Sequence, residues 1–184
     1  MGRICYSLKQ VPRDYCLFMA ATRTEAAVEI RLDACDFDPD DIRAVFSLPR
    51  QSLLIATFHI TLPSQAEEAA RALTTAILSG ADFVDIPLDF PETSRKWLQN
   101  LALNRGCRVI LSYHNYRATD TPTRLQALAE QARQEGADII KIVTTARSAD
   151  DAAAVLALYD HFEPTRLLAF DLLANDLRPV AEAK

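Results

Sequence analysis

Lys141 lies inside the run Ile139-Ile-Lys-Ile-Val143, entered directly from Gly136. A short apolar run after a helix-stopping glycine reads as a parallel strand covered on both faces. A lysine there loses hydration, which disfavours its ammonium form and leaves a neutral amine able to attack a carbonyl carbon. The structural alternative is a lysine whose head reaches water at the strand end or pairs with a carboxylate. Other residues bear on the choice. His114 closes Arg108-Val-Ile-Leu-Ser-Tyr-His114, where an imidazole can carry protons for a neighbouring amine. Glu29 and Arg31 stand two apart in Ala27-Val-Glu-Ile-Arg-Leu-Asp33, so they share one face of a strand. His59 ends Leu53–His59. Each has its plain alternative: an ion pair for Glu29 and Arg31, a hydrogen-bonded interior histidine for His114. Asp33 and Asp85, also near strand ends, can serve only to satisfy amides or neighbouring cations. His161, in Tyr-Asp-His-Phe, reads as a helix end.

The elements that must position these residues repeat. Strands are expected at Arg3–Leu8, Ala27–Asp33, Leu53–His59, Phe83–Leu88, Arg108–His114, Ile139–Thr144 and Arg166–Leu172. Between them come helix signals. One helix falls within Arg13–Ala27. Asp38-Pro39-Asp40-Asp41 offers a cap, a proline at the first position and first-turn acids, followed by Ile42, Val45 and Phe46. Ser64 with Glu67 has the capping-box spacing for a helix ending at Gly80. A helix from Asp89 or Thr93 carries Trp97, Leu98 and Leu101 to Gly106; Thr121-Pro122 opens one ending at Gly136; Ser148 with Asp151 opens another bearing Val155, Leu156 and Tyr159. A strand every 24 to 31 residues, each followed by a helix, is the rhythm of a parallel α/β fold. Polar residues at the ends of many strands favour a barrel mouth over an open sheet. The expected fold is a (β/α)8 TIM-type barrel shortened to about seven parallel strands, one domain over residues 1–184. Only 12 residues follow Leu172, so the eighth strand and its helix are expected to be missing.

Composition excludes several functions. The net charge is −5 and no basic run occurs, so nucleic acid is not an expected partner. No stretch of 18 apolar residues exists, so no membrane span is expected. The first 25 residues lack a signal-peptide pattern, and the four cysteines (Cys5, Cys16, Cys35, Cys107) form no CxxC pair; reduced thiols and a cytoplasmic location are expected. Three of the four glycines, Gly80, Gly106 and Gly136, fall at helix ends, which leaves none for a phosphate-cradling loop.

Four stretches together resemble type I 3-dehydroquinate dehydratase: Ile4-Cys-Tyr-Ser7, Glu29-Ile-Arg-Leu-Asp33, Ser112-Tyr-His-Asn-Tyr116 with Thr121-Pro122, and Gly136-Ala-Asp-Ile-Ile-Lys-Ile142. They occur in the family's order over nearly all of residues 3–172. The resemblance implies a shikimate-pathway lyase that dehydrates 3-dehydroquinate to 3-dehydroshikimate. Lys141 would form an imine with the substrate ketone, and His114 would act as general base and acid. Glu29 would orient the histidine or a substrate hydroxyl; Arg31, Ser7 and, in place of a family arginine, His59 would hold substrate oxygens. No metal or dissociable cofactor is implied. The sequence departs from the family at three places. The strand-three arginine aligns with His59 and the following acid with Pro63. The strand-four Asp-x-Glu-Leu reads Asp85-Ile-Pro-Leu88. The C-terminal Met-Gly turn, the Ser-Arg pair that grips the substrate carboxylate and the closing loop have no counterpart, although Arg178 is available as a displaced remnant. These losses would weaken substrate binding, and they keep two alternatives open: a non-catalytic barrel descendant, or another imine-forming lyase of the aldolase kind acting on a smaller keto acid. An open barrel edge would suit a homodimer.

Overall fold

The computed structural model describes residues 4–24 and 26–173. Strand β1 is Cys5–Leu8, β2 Ala27–Arg31, β3 Leu53–Thr57, β4 Phe83–Pro87, β5 Arg108–His114, β6 Ile139–Ala146 and β7 Leu167–Leu173. Between them run α1 (Arg13–Thr22), α2 (Pro39–Ser47), α3 (Ala66–Leu78), α4 (Glu92–Arg105), α5 (Pro122–Gln134) and α6 (Ala149–Leu156). The strands hydrogen-bond in chain order, β1 to β7. A doubly wound sheet reverses its order at a switch point; this order never reverses. The chain therefore has the expected TIM-type α/β architecture, with seven strands among the described residues.

Local chemistry accounts for most element ends. Asp38 accepts hydrogen bonds from the Asp40 and Asp41 amides, both at 2.8 Å, and starts α2. Ser148 and Asp151 form the reciprocal box that starts α6. Gly80, Gly106 and Gly136 adopt positive φ (101°, 68° and 84°), where a Cβ would be strained, and turn α3, α4 and α5 into the next strand. One expectation fails. The Ser64–Glu67 box does not form: Pro63–Gln65 is a short 3-10 turn whose Gln65 side chain accepts from the Thr61 and Leu62 amides, and Glu67 pairs with Arg71 instead. In α4, Leu98 and Ala102 turn inward, while the Trp97 indole is 51% exposed. Arg3 and Arg178 lie outside the described residues.

Two compact units divide after Ile110, within β5. In the first, Val28, Ile30, Leu54, Ala56, Val84 and Ile86 form the buried apolar face of β2, β3 and β4. The opposite face follows the register: Ser7, Glu29, Ile55 and Phe83 make one row across the strands, and Arg31, Thr57 and Asp85 the next. The β2 strand is shorter than expected because Leu32–Ala34 turns as a 3-10 helix. In the second unit β6 is buried from Ile140 to Ala146. Its partner β7 alternates: Leu167 and Ala169 are buried, whereas Leu168, Phe170 and Leu172 are 40–43% exposed. The Tyr159 hydroxyl accepts from the Ala169 amide at 3.0 Å and donates to its carbonyl at 3.1 Å, tying the turn after α6 to β7.

Candidate active site

In the first unit Ser7, Glu29 and Arg31 sit on one sheet face. Ser7 is the cross-strand partner of Glu29, and Glu29 lies two residues before Arg31. Glu29 is only 9% exposed and accepts a hydrogen bond from the fully buried Thr57 hydroxyl at 3.0 Å. The 3-10 turn swings Asp33 back, and Arg31 meets it in a two-pronged contact at 2.9 and 2.7 Å. One Asp33 oxygen also accepts the His59 backbone amide at 3.1 Å. Burial pushes the Asp33 carboxyl up. The Arg31 guanidinium and the His59 amide outweigh it, and the carboxyl titrates below the usual carboxylate range. His59 thus lies two residues beyond β3, anchored through its backbone, and Ser7 is exposed. Asp85 is 1% exposed on β4, in the row of Arg31 and Thr57.

In the second unit Lys141 is 8% exposed in the middle of β6, between Ile140 and Ile142. Its partner on β7 is Leu168. The Asn115 amide donates to the Val143 carbonyl at 2.8 Å. In a parallel ladder that bond sets Asn115 opposite Thr144, as the Ile140–Arg166 bond sets Ile140 opposite Leu167. Counting back along both strands, His114 stands opposite Val143 and Ser112 opposite Lys141. The lysine and the histidine therefore share a face, on neighbouring strands, one row apart along the strand, about 6.5 Å. A lysine stem can cross that interval, so amine and imidazole can serve the same reacting atoms. His114 is half-buried and stacks on Tyr116, ring centres 5.7 Å apart and planes inclined by 23°.

Two features of this unit escape the sequence. Ser112 is fully buried, and its hydroxyl has no hydrogen-bond partner among the described residues. Such an orphan hydroxyl costs about 1–3 kcal/mol. That is comparable to the gain from burying one leucine, about 1.5–3 kcal/mol. Only the strand register reveals that it stands beside Lys141. The second is the loop after His114. Asp120 accepts from the Tyr113 hydroxyl at 2.8 Å and from the Asn115 side-chain amide at 2.9 Å. Asn115 in turn accepts from the Arg117 and Ala118 amides. Thr119 bonds Thr144 at 3.0 Å and Asp171 at 3.2 Å, and Thr144 bonds Asp171 as well. Thr119, Thr144 and Asp171 lie 25 to 52 residues apart in the chain, so no local motif announces their contacts.

Parallel β/α units in sequential order, each with polar groups on one sheet face, define the class: a TIM-type barrel protein. Comparison with known proteins narrows the class. Residues 16–170 match the family model described as type I 3-dehydroquinase. The 3-dehydroquinate dehydratase of Desulfotalea psychrophila is 34% identical over 164 residues, which cover 86% of this chain and 72% of the relative. That of Methanothrix thermoacetophila is 33% identical over 162 residues, 84% of this chain and 66% of the relative. The chain thus spans about two thirds to three quarters of the length of these two relatives. Among solved structures, the 3-dehydroquinate dehydratase of Enterococcus faecalis superimposes with a TM-score of 0.79 at 21% identity, covering 94% of this chain and 79% of that one. The chain belongs to the type I 3-dehydroquinase family, whose members are hydro-lyases that work through a lysine Schiff base and need no cofactor.

Proposed function

We propose that this chain dehydrates 3-dehydroquinate to 3-dehydroshikimate, with Lys141 as the imine-forming amine and His114 as the proton carrier. The observation that carries this reading is Lys141 itself: 8% exposed within β6, on the face that also bears His114. The Lys141 amine adds to the substrate ketone, and the resulting carbinolamine loses water to give a protonated imine. That imine withdraws electrons from the adjacent carbon, whose proton His114 removes to leave an enamine. The imidazolium then protonates the departing hydroxyl, the enamine pair expels it as water, and hydrolysis of the conjugated imine frees product and amine. Glu29 orients the histidine or a substrate hydroxyl; Arg31, Ser7 and His59 hold substrate oxygens. Arg31 enters this role pre-aligned by its two-pronged contact with Asp33.

The proposal includes one barrel-type domain over residues 1–184, acting in the cytoplasm, with a second copy of the chain as partner. Among the described residues no helix is long and apolar enough to cross a membrane. The test is borohydride reduction of the purified chain with 3-dehydroquinate, read by peptide mass spectrometry. The expected result is a stable adduct on Lys141 and none in Lys141→Ala. A folded protein left unmodified at high substrate would overturn the proposal, and adducts with pyruvate alone would favour a smaller keto acid.

A further inference from the structure

We propose that Asp120 is a positioning residue for His114. One of its carboxylate oxygens, Oδ2, accepts from the Tyr113 hydroxyl at 2.8 Å and from the Asn115 Nδ2 at 2.9 Å. Tyr113 and Asn115 are the residues immediately before and after His114. Side chains alternate across β5, so Tyr113 projects to the face opposite His114. The histidine backbone is therefore gripped from behind on both sides by one acceptor.

The grip matters because His114 is the last residue of β5, where the regular ladder ends and a loop begins. Beyond it, Asn115 holds the Arg117 and Ala118 amides at 3.0 and 3.2 Å, which folds the loop back toward the strand. Asp120 closes that fold from the far end. The loop also carries Tyr116, the ring stacked on the imidazole. Removing the carboxylate releases Tyr113 and Asn115 together, and with them the backbone that aims the imidazole and its stacking partner. Burial of Tyr113, reinforced by Asp120, pushes the phenol above the ordinary tyrosine range, so it remains a donor through neutral pH. A carboxylate serving only to staple a surface loop would leave the environment of His114 unchanged.

The inference rests on His114 being the proton carrier, and its test separates the two. The chain has three histidines, His59, His114 and His161, so their ring signals are resolvable by NMR of ¹³C-histidine-labelled protein. Asp120→Ala is expected to move the His114 signals and the midpoint of their titration, with those of His161 unchanged. Asp120→Asn, which keeps an acceptor oxygen in place, restores them. In turnover, Asp120→Ala is expected to lower kcat about 10- to 100-fold, the range set by roughly 1 Å of misplacement of a reacting group, with KM changed less than about twofold. Tyr113→Phe removes one of the two bonds with little change of volume and gives the same NMR effect at smaller size, which covers the case of an unfolded Asp120→Ala. Unaltered His114 signals in a folded Asp120→Ala or Tyr113→Phe protein overturn the proposal. A wild-type chain that turns over no 3-dehydroquinate overturns the functional reading alone, because the NMR comparison is independent of substrate.

Discussion

In the β1–β4 unit the charges of the candidate site are met by built-in partners. Arg31 is held by Asp33 at 2.9 and 2.7 Å, Asp33 also takes the His59 amide, and Glu29 takes the Thr57 hydroxyl. In the β5–β7 unit Lys141 stands between Ile140 and Ile142, with Leu168 and the orphan Ser112 hydroxyl as lateral neighbours. Fixed, charge-assisted pairs suit a surface that holds oxygens of a bound molecule in one orientation. A buried amine on the face that also bears an imidazole suits proton-assisted addition to a ketone. Under the proposed roles, binding falls to one set of residues and bond-making to the other, and substitutions in the two sets should separate KM from kcat.

The largest effect belongs to the lysine. Lys141→Ala should abolish both turnover and the reducible adduct, with circular dichroism confirming the fold. Next comes His114→Ala, expected to lower kcat about 10²- to 10⁴-fold, the usual contribution of a general acid–base group. The adduct on Lys141 should still form, more slowly. Retention of wild-type kcat in this variant would remove His114 from the chemistry and leave the lysine standing alone.

On the binding side, Arg31→Ala deletes a charge-assisted contact worth about 1.5–3 kcal/mol, which predicts a 10- to 150-fold fall in kcat/KM. Most of that fall should appear as a raised KM. Asp33→Asn should act in the same direction but less strongly, because Arg31 remains while its aim loosens. The pH dependence has a definite sign. The folded-state carboxyl of Asp33 is depressed, so its stabilising contribution is fully present above the ordinary carboxylate range. It is lost as pH falls through the depressed value. Acid unfolding of the wild type should therefore be steeper than that of Asp33→Asn, with both followed by tryptophan fluorescence.

The strand rhythm, the glycine stops and the caps at Asp38, Thr121 and Ser148 were legible in the sequence because each is a short-range signal. Lys141 was legible because a charge interrupts an apolar run. Where several local solutions compete, sequence reasoning chose wrongly at Ser64: Pro63 and Gln65 build a tighter turn that consumes the same amides. The pairing of Arg31 with Asp33 depends on a three-residue turn that ends β2 early. Ser112 and Asp120 were hidden for a common reason. One acquires meaning only from the register between β5 and β6, and the other from a loop that folds back on its own strand.

The smallest effect expected is chemical. Burial, reinforced by Cys35 nearby, pushes the Cys16 thiol up to about 12, while Cys5 is exposed. The thiolate is the reactive form, so Cys16 should resist alkylation at neutral pH. Iodoacetamide should label Cys5 within minutes and Cys16 only after denaturation, as read by peptide mass spectrometry. Prompt labelling of Cys16 in the native protein would mean that α1 opens from the β1–β4 unit. The pre-aligned charges of that unit would then rest on a looser scaffold than the contrast with Lys141 requires.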